Sequence, residues 1–280
     1  MKVLISVDIE GIAGVFNPQQ THAGNGEYEQ ARRWMTLEAN AAIEGAFAGG
    51  ASAVWVNDSH GGFNNLLLDA LDPRARAILG KPRMLGMMAG LEHGPDLVFM
   101  VGYHAMAGNH GVLAHTINSF AFARVVVDGV ATGEAGLYGA VAEEYGAHVA
   151  LLTGDDVFTQ ETRERFPAAA FVVVKEAGGR LSADTLSPTQ SRTLIRDAAR
   201  AAVERHLSTP GRAAHADART AEPRERICEL HTQNSALADL FAQWPQIERV
   251  SASMLRFTAP SAEHLVRMLN CFSAMSAVLR

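Results

Sequence analysis

Short apolar runs recur along the chain, separated by longer stretches in which apolar residues return every three or four positions. Val3-Leu4-Ile5-Ser6-Val7, Ala53-Val54-Trp55-Val56, Leu97–Val101, Val149–Leu152 and Phe171–Val174 are of the first kind. Rich in β-branched and aromatic side chains, they predict buried strands. Tyr28–Phe47 is of the second kind, with Trp34, Leu37, Ala41 and Ile43 near helical spacing. So is Pro188–Leu207, which carries Leu194, Ile195, Ala198, Ala199, Ala202 and Val203. Its start is well marked: Ser187 can cap, Pro188 suits the first helical position, and Gln190 falls where a capping box places its partner. Ala135–Tyr145 predicts a further helix. This alternation predicts an α/β fold, a mainly parallel central sheet flanked by helices, with active groups at the strand ends.

Two stretches break the alternation. Ala123–Val130 predicts a hairpin, with Asp128-Gly129 at its turn. From 208 to 223 the Pro, Gly, Ala and Arg content predicts an exposed linker, and the mixed charges of Arg219–Arg226 read as a solvated connection. Strands over Arg226–Leu230 and Val250–Phe257, interleaved with helices over Ser235–Gln243 and Ser261–Leu279, predict a smaller C-terminal α+β unit. The expected division is a catalytic α/β domain over 1–207 and a unit over 208–280 that contributes to substrate access or assembly.

Composition narrows the class. With 280 residues, 48% of them hydrophobic, the chain can bury a substantial core without covalent staples. Cys228 and Cys271 are too few for a disulfide framework and suit a reducing cytoplasm. No charged apolar leader precedes the first strand, and no apolar segment approaches the roughly 20 residues that span a bilayer, so a soluble cytoplasmic protein is expected. The net charge of -6, without a strongly basic block, argues against nucleic acid as a partner.

Candidate chemistry gathers at the ends of the apolar runs. Asp8 closes the first, and Glu10 lies two residues on, so in extended backbone both carboxylates point to one side. Held that close, they repel unless a cation or a shared proton intervenes. His60 follows the second run just before Gly61-Gly62, and His104 follows the third after Gly102-Tyr103. Glu134 opens a helix after Gly133, where the helix dipole also favours a carboxylate for structural reasons. The expected metal ligands are therefore Asp8, Glu10, His60, His104 and Glu134, with Asn57, Asp58 and Ser59 placed to orient His60.

The segments SVDIEGIAGV, VNDSHGGFNNLL, MVGYHAMAG, GVLAHT, GEAGLYGAVAEEYG and LLTGDD, then Lys175–Pro188 ending LSP, follow in order over roughly residues 1 to 190. In these the chain resembles the DppA-like zinc-dependent D-aminopeptidase family. The resemblance implies two Zn2+ per subunit, bridged by Asp8, with Glu10 and His104 completing one site and His60 and Glu134 the other. It implies a catalytic role for His115, described in the family as a nucleophile; the ordinary pKa of imidazole suits proton transfer first. It also implies a homo-oligomer, a decamer enclosing a channel, and a short peptide or aminoacyl amide as substrate. The expected function is a dizinc aminopeptidase removing an N-terminal residue of D configuration. The alternatives are an L-selective aminopeptidase or amidase, a metallophosphoesterase, and a non-catalytic metal-binding assembly protein. Met84, Met87 and Met88 are expected at a subunit interface, and Lys175 and Arg180 match family positions without an assigned role.

Overall fold

The computed structural model describes residues 1–208 and 223–280. In chain order its strands and helices begin with β1 (Lys2–Val7), α1 (Gly26–Ala48), β2 (Ala53–Asp58), β3 (Arg76–Ile78), β4 (Leu97–Val101), β5 (Phe122–Val127) and β6 (Val130–Ala131). α2 (Glu134–Glu144), β7 (His148–Asp155), α3 (Asp156–Arg163), β8 (Ala170–Gly179), β9 (Ser182–Thr185) and α4 (Pro188–Ser208) follow. Beyond the undescribed segment come β10 (Arg226–Thr232), α5 (Ser235–Phe241), β11 (Glu248–Arg249), β12 (Met254–Ala259) and α6 (Ala262–Met275).

Seven strands form the large sheet in the order β3-β2-β1-β4-β7-β8-β9. All neighbours are parallel except β9, which folds back antiparallel on β8. The chain leaves β1 toward β2 and β3 on one side, then crosses to β4 on the other. That reversal of direction makes the carboxyl ends of β1 and β4 the switch point of the sheet, where α/β proteins place their sites.

Both faces of this sheet are covered, which explains why its central strands read as unbroken apolar runs rather than alternating ones. Val3, Ile5 and Val7 pack with Ile43 of α1 and Ile195 and Val203 of α4 on one face. Leu4, Val98 and Met100 pack on the other with Val141 of α2, Phe122 of β5 and Leu230 of β10. Local signals set the helix starts. Asn25 accepts the Tyr28 N–H at 3.0 Å at the head of α1, Asp155 accepts that of Phe158 at 2.7 Å, and Ser261 accepts that of His264 at 3.2 Å.

The second sheet runs β11-β12-β10-β5-β6, with antiparallel pairing. Asp128 and Gly129, at φ 51 and 84, make the predicted turn between β5 and β6. β10 pairs with β5, so the small sheet draws strands from both sides of residues 207 and 208. That pairing covers a backbone edge that the hairpin alone would leave open.

Several elements differ from the sequence reading. β3, α3 and the β8–β9 hairpin were not predicted, because α3 is mostly polar and the second half of β8 leaves the apolar pattern at Lys175. β12 starts at Met254 rather than Val250, with Ser251 and Ser253 spent on the turn from β11. Helix α6 ends at Met275 and tightens into a 3-10 turn over Ser276–Leu279. Met87 and Met88 are core residues, and only Met84 of that cluster is exposed. The expected linker falls on 209–222, outside the described residues, apart from its two ends. Among the described residues no helix is long and apolar enough to cross a membrane.

Candidate metal centre

Two glycines let the ligand loops meet. The Gly11 N–H donates to the Gly102 carbonyl at 2.8 Å, and the Asp8 N–H to that of Val101 at 2.9 Å. A Cβ on Gly11 would lie 1.9 Å from the Tyr103 carbonyl oxygen. One on Gly102, itself at φ 69, would lie 2.4 Å from that of Asp8. Only bare backbone permits the loop after β1 to lie against the loop after β4, and this contact brings Asp8 and Glu10 to His104.

Each of three histidines gives one ring N–H to a backbone carbonyl and turns its other nitrogen on a carboxylate. His60 Nε2 donates to Thr21 at 2.9 Å, His104 Nδ1 to Ala105 at 3.0 Å, and His115 Nδ1 to Leu113 at 3.0 Å. A carbonyl only accepts, so these bonds fix which nitrogen carries the proton and which faces inward. His60 Nδ1 then lies 3.2 Å from Asp8 Oδ1 and 2.9 Å from Glu10 Oε2. His104 Nε2 lies 3.5 Å from both Asp8 Oδ2 and Glu134 Oε2, and His115 Nε2 is 3.8 Å from Glu134 Oε1. The His104 and His115 rings stack with centroids 4.1 Å apart.

All five predicted ligands thus converge, with His115 beside them. Asp8, Glu10 and His104 offer ligand atoms within 4.8 Å of one another, and so do His104, His115 and Glu134. Asp8 faces the two sides with different oxygens, Oδ1 toward His60 and Oδ2 toward His104.

Charge argues for a cation here. Burial opposes protonation of His60 and His104. The Glu10 and Asp8 carboxylates at the first, and Glu134 and Asp8 at the second, outweigh burial and raise both well above the ordinary histidine value. Burial likewise pushes the Asp8 and Glu134 carboxyls up, and the imidazoles beside them more than reverse it. Such a field holds positive charge in the cleft, as protons or as metal. Two buried atoms aimed into it, Glu10 Oε2 and His104 Nε2, have no hydrogen-bond partner; the short approach of His60 to Glu10 is not aligned as a hydrogen bond. Carboxylate and imidazole without thiolate is a donor set that fits zinc.

Other residues hold this arrangement, and the sequence reading left most of them unassigned. Asp58 accepts N–H bonds from Asn65 and Leu66 at 2.5 and 2.8 Å, closing the loop that carries His60. Glu161 of α3 accepts the Met106 N–H at 3.0 Å and so fixes the strand exit after His104. Lys175 donates to the Glu10, Ile12 and Val15 carbonyls, and burial pushes its ammonium down to about 8 against the pull of Asp155, Glu38 and Glu10. Glu38 of α1 accepts the Ala13 N–H at 3.1 Å and the Ser191 hydroxyl at 2.7 Å; burial pushes its carboxyl up to about 7. A lysine directly behind Phe171–Val174 is the signal that could have drawn attention to Lys175, since a charge in an apolar strand demands partners.

A parallel-sheet switch point lined with buried carboxylates and oriented imidazoles is the kind of centre that a metal-dependent hydrolase uses. The comparisons say which. The model of the peptidase M55 family, described as D-aminopeptidase, matches residues 1–271. A D-aminopeptidase of Bacillus subtilis (strain 168) is 35% identical over 195 residues, covering 70% of this chain and 71% of that protein. The structure described as "Zn-dependent D-aminopeptidase DppA from Bacillus subtilis, a self-compartmentalizing protease" has a TM-score of 0.90 at 28% identity, over 99% of this chain and 98% of that one. The chain belongs to the M55 family of D-aminopeptidases.

Proposed function

We propose that the protein is a dizinc aminopeptidase that removes an N-terminal residue of D configuration from short peptides or amides. The observation that carries this reading is the set of three imidazoles, each oriented by a backbone carbonyl and each presenting its free nitrogen to buried carboxylates. Family membership favours it over the phosphoesterase and the non-catalytic readings. Asp8, which presents Oδ1 to His60 and Oδ2 to His104, would be shared by the two ions, and Glu10, His60, His104 and Glu134 would hold them. Zinc, when bound there, lowers the pKa of a shared water and polarises the scissile carbonyl.

The chain's own residues do the rest. His115 keeps its proton on Nδ1, bound to Leu113, so Nε2 is the atom that takes a proton from the attacking water and delivers it to the departing amine. Glu134 Oε1, 3.8 Å away, stabilises the imidazolium that forms between those steps. The neighbour's description as self-compartmentalizing supports a homo-oligomer, which we take to be a decameric ring admitting short substrates.

Matched D and L aminoacyl amides, assayed with zinc content measured on the same sample, test the proposal. The expected result is two zinc ions per subunit and faster turnover of the D series. His115→Ala is expected to keep both ions and lose about 10²- to 10⁴-fold in kcat. Zinc lost with that variant would make His115 a ligand, and a zinc-loaded protein inert toward both series would end the peptidase reading.

A further inference from the structure

β8 and β9 form a hairpin at the edge of the large sheet, and none of its residues belongs to the ligand set. It nevertheless grips both loops on which the site depends. Lys175, buried in β8, donates from Nζ to the carbonyls of Glu10, Ile12 and Val15 at 2.5, 3.1 and 2.5 Å. Thr185 of β9 accepts the Gly14 N–H at 2.9 Å. At the hairpin tip the Arg180 carbonyl accepts the Leu113 N–H at 2.9 Å, while its guanidinium donates to the Ala114 carbonyl. Leu113 is held at φ 53, a left-handed conformation that a leucine keeps only under restraint. Its carbonyl is the acceptor that orients His115.

We propose that this hairpin is a two-point clamp, with Lys175 the positioning residue for Glu10 and Arg180 the positioning residue for His115. Three carbonyls turned inward cannot satisfy one another, and a compact ammonium with three donors is the side chain that matches them. Without it, buried acceptors are left unpaired and the loop carrying Glu10 reopens toward water. Arg180 grips its strap from outside, with backbone and side chain on consecutive residues, so its loss acts on His115 and leaves the metal ligands in place.

The kinetic part of the test rests on the proposed aminopeptidase function; the exchange part does not. In zinc-free protein, Lys175→Met should speed amide hydrogen exchange over 11–15 by about tenfold and leave 113–117 unchanged, with Arg180→Ala doing the reverse. In zinc-loaded protein, Lys175→Met should weaken zinc binding in chelator competition about 10- to 100-fold. Arg180→Ala should hold zinc within about twofold and lower kcat about 100-fold with little change in KM. Combined with His115→Ala, Arg180→Ala should add nothing, because it acts through that ring. Where Lys175→Met does not fold, Lys175→Gln, which keeps a donor in the same cavity, should show a smaller loosening of 11–15. Folded variants with wild-type exchange at both loops would overturn the clamp. Expected exchange in a protein that hydrolyses nothing would support it while the aminopeptidase reading fell.

Discussion

The two sides of the site are built to different depths. On one side His104 and Glu134 have side chains 1% and 4% exposed. They lie between β4 and the start of α2, braced by Glu161 from α3. On the other, His60 is 13% exposed and belongs to a loop closed by Asp58, while Glu10 sits in a turn held by Lys175 and Glu38. The deep side is fixed mainly by the packing of helices on the sheet, with Glu161 adding a polar brace. The rim side is fixed by polar side chains that reach into loops. Packing is non-directional and survives small changes, whereas a buried polar brace fails when one partner is removed. The rim should therefore loosen first.

Asp8 belongs to both sides and carries the largest expected effect. If the site holds the two zinc ions proposed, Asp8→Ala should abolish binding of both in chelator competition, and with it all turnover. If one ion stays bound, Asp8 is not a bridge and the two sides are independent sites.

Next come the two histidines, compared in zinc-free protein by denaturant melts. His104→Ala empties a buried ring site stacked against His115 and should cost about 3 kcal/mol. His60→Ala removes a partly exposed ring and should cost less, about 2 kcal/mol, chiefly by leaving the Asp8 and Glu10 carboxylates without their counter-charge. Equal costs would erase the distinction between a packed side and a braced one.

Asp58→Ala sharpens it further. The carboxylate touches no ligand side chain, yet it receives the N–H groups of Asn65 and Leu66 and, at 3.4 Å, that of His60. Without it one zinc per subunit should bind about 10- to 100-fold more weakly, as outer-shell losses do, while the other binds as before. Equal weakening of both ions would show that the rim is no softer than the depth.

The same division governs how much was legible in the sequence. Asp8, Glu10, His60 and His104 were visible because they follow apolar runs whose ends a parallel sheet brings together whatever the intervening chain does, and Glu134 because it opens a helix directly after a glycine. The Asp128-Gly129 turn and the cap at Ser187 were legible for a similar reason, being written in neighbouring residues. Lys175, Glu38, Glu161 and Arg180 were not, because their partners lie on other elements. Lys175 binds carbonyls about 160 residues away, and carbonyls leave no mark in a sequence. The pairing of β10 with β5 was hidden likewise: both strands were predicted, but which edge each would cover depends on the assembled core.

The last effect is set by pH at Glu38, which braces the rim through Ala13. Its carboxyl is raised from the ordinary 4.5 to about 7 in the folded chain. A raised acid favours the folded state while it is protonated, so its stabilisation is full below pH 4.5 and is lost as pH climbs through 7. The linked change is on the order of 3 kcal/mol, or about 5 °C in Tm for a chain of this size. Glu38→Gln keeps an acceptor for the Ala13 N–H and the Ser191 hydroxyl but cannot ionise. Zinc-free wild type should therefore melt lower at pH 8.5 than at pH 5.5 by more than the variant does, and amide exchange at Ala13 should quicken over the same interval only in wild type. An identical pH slope in both proteins would mean that the carboxylate is stabilised as an ion, by Lys175 and whatever water reaches it, and that the rim's brace is as firm above neutrality as below.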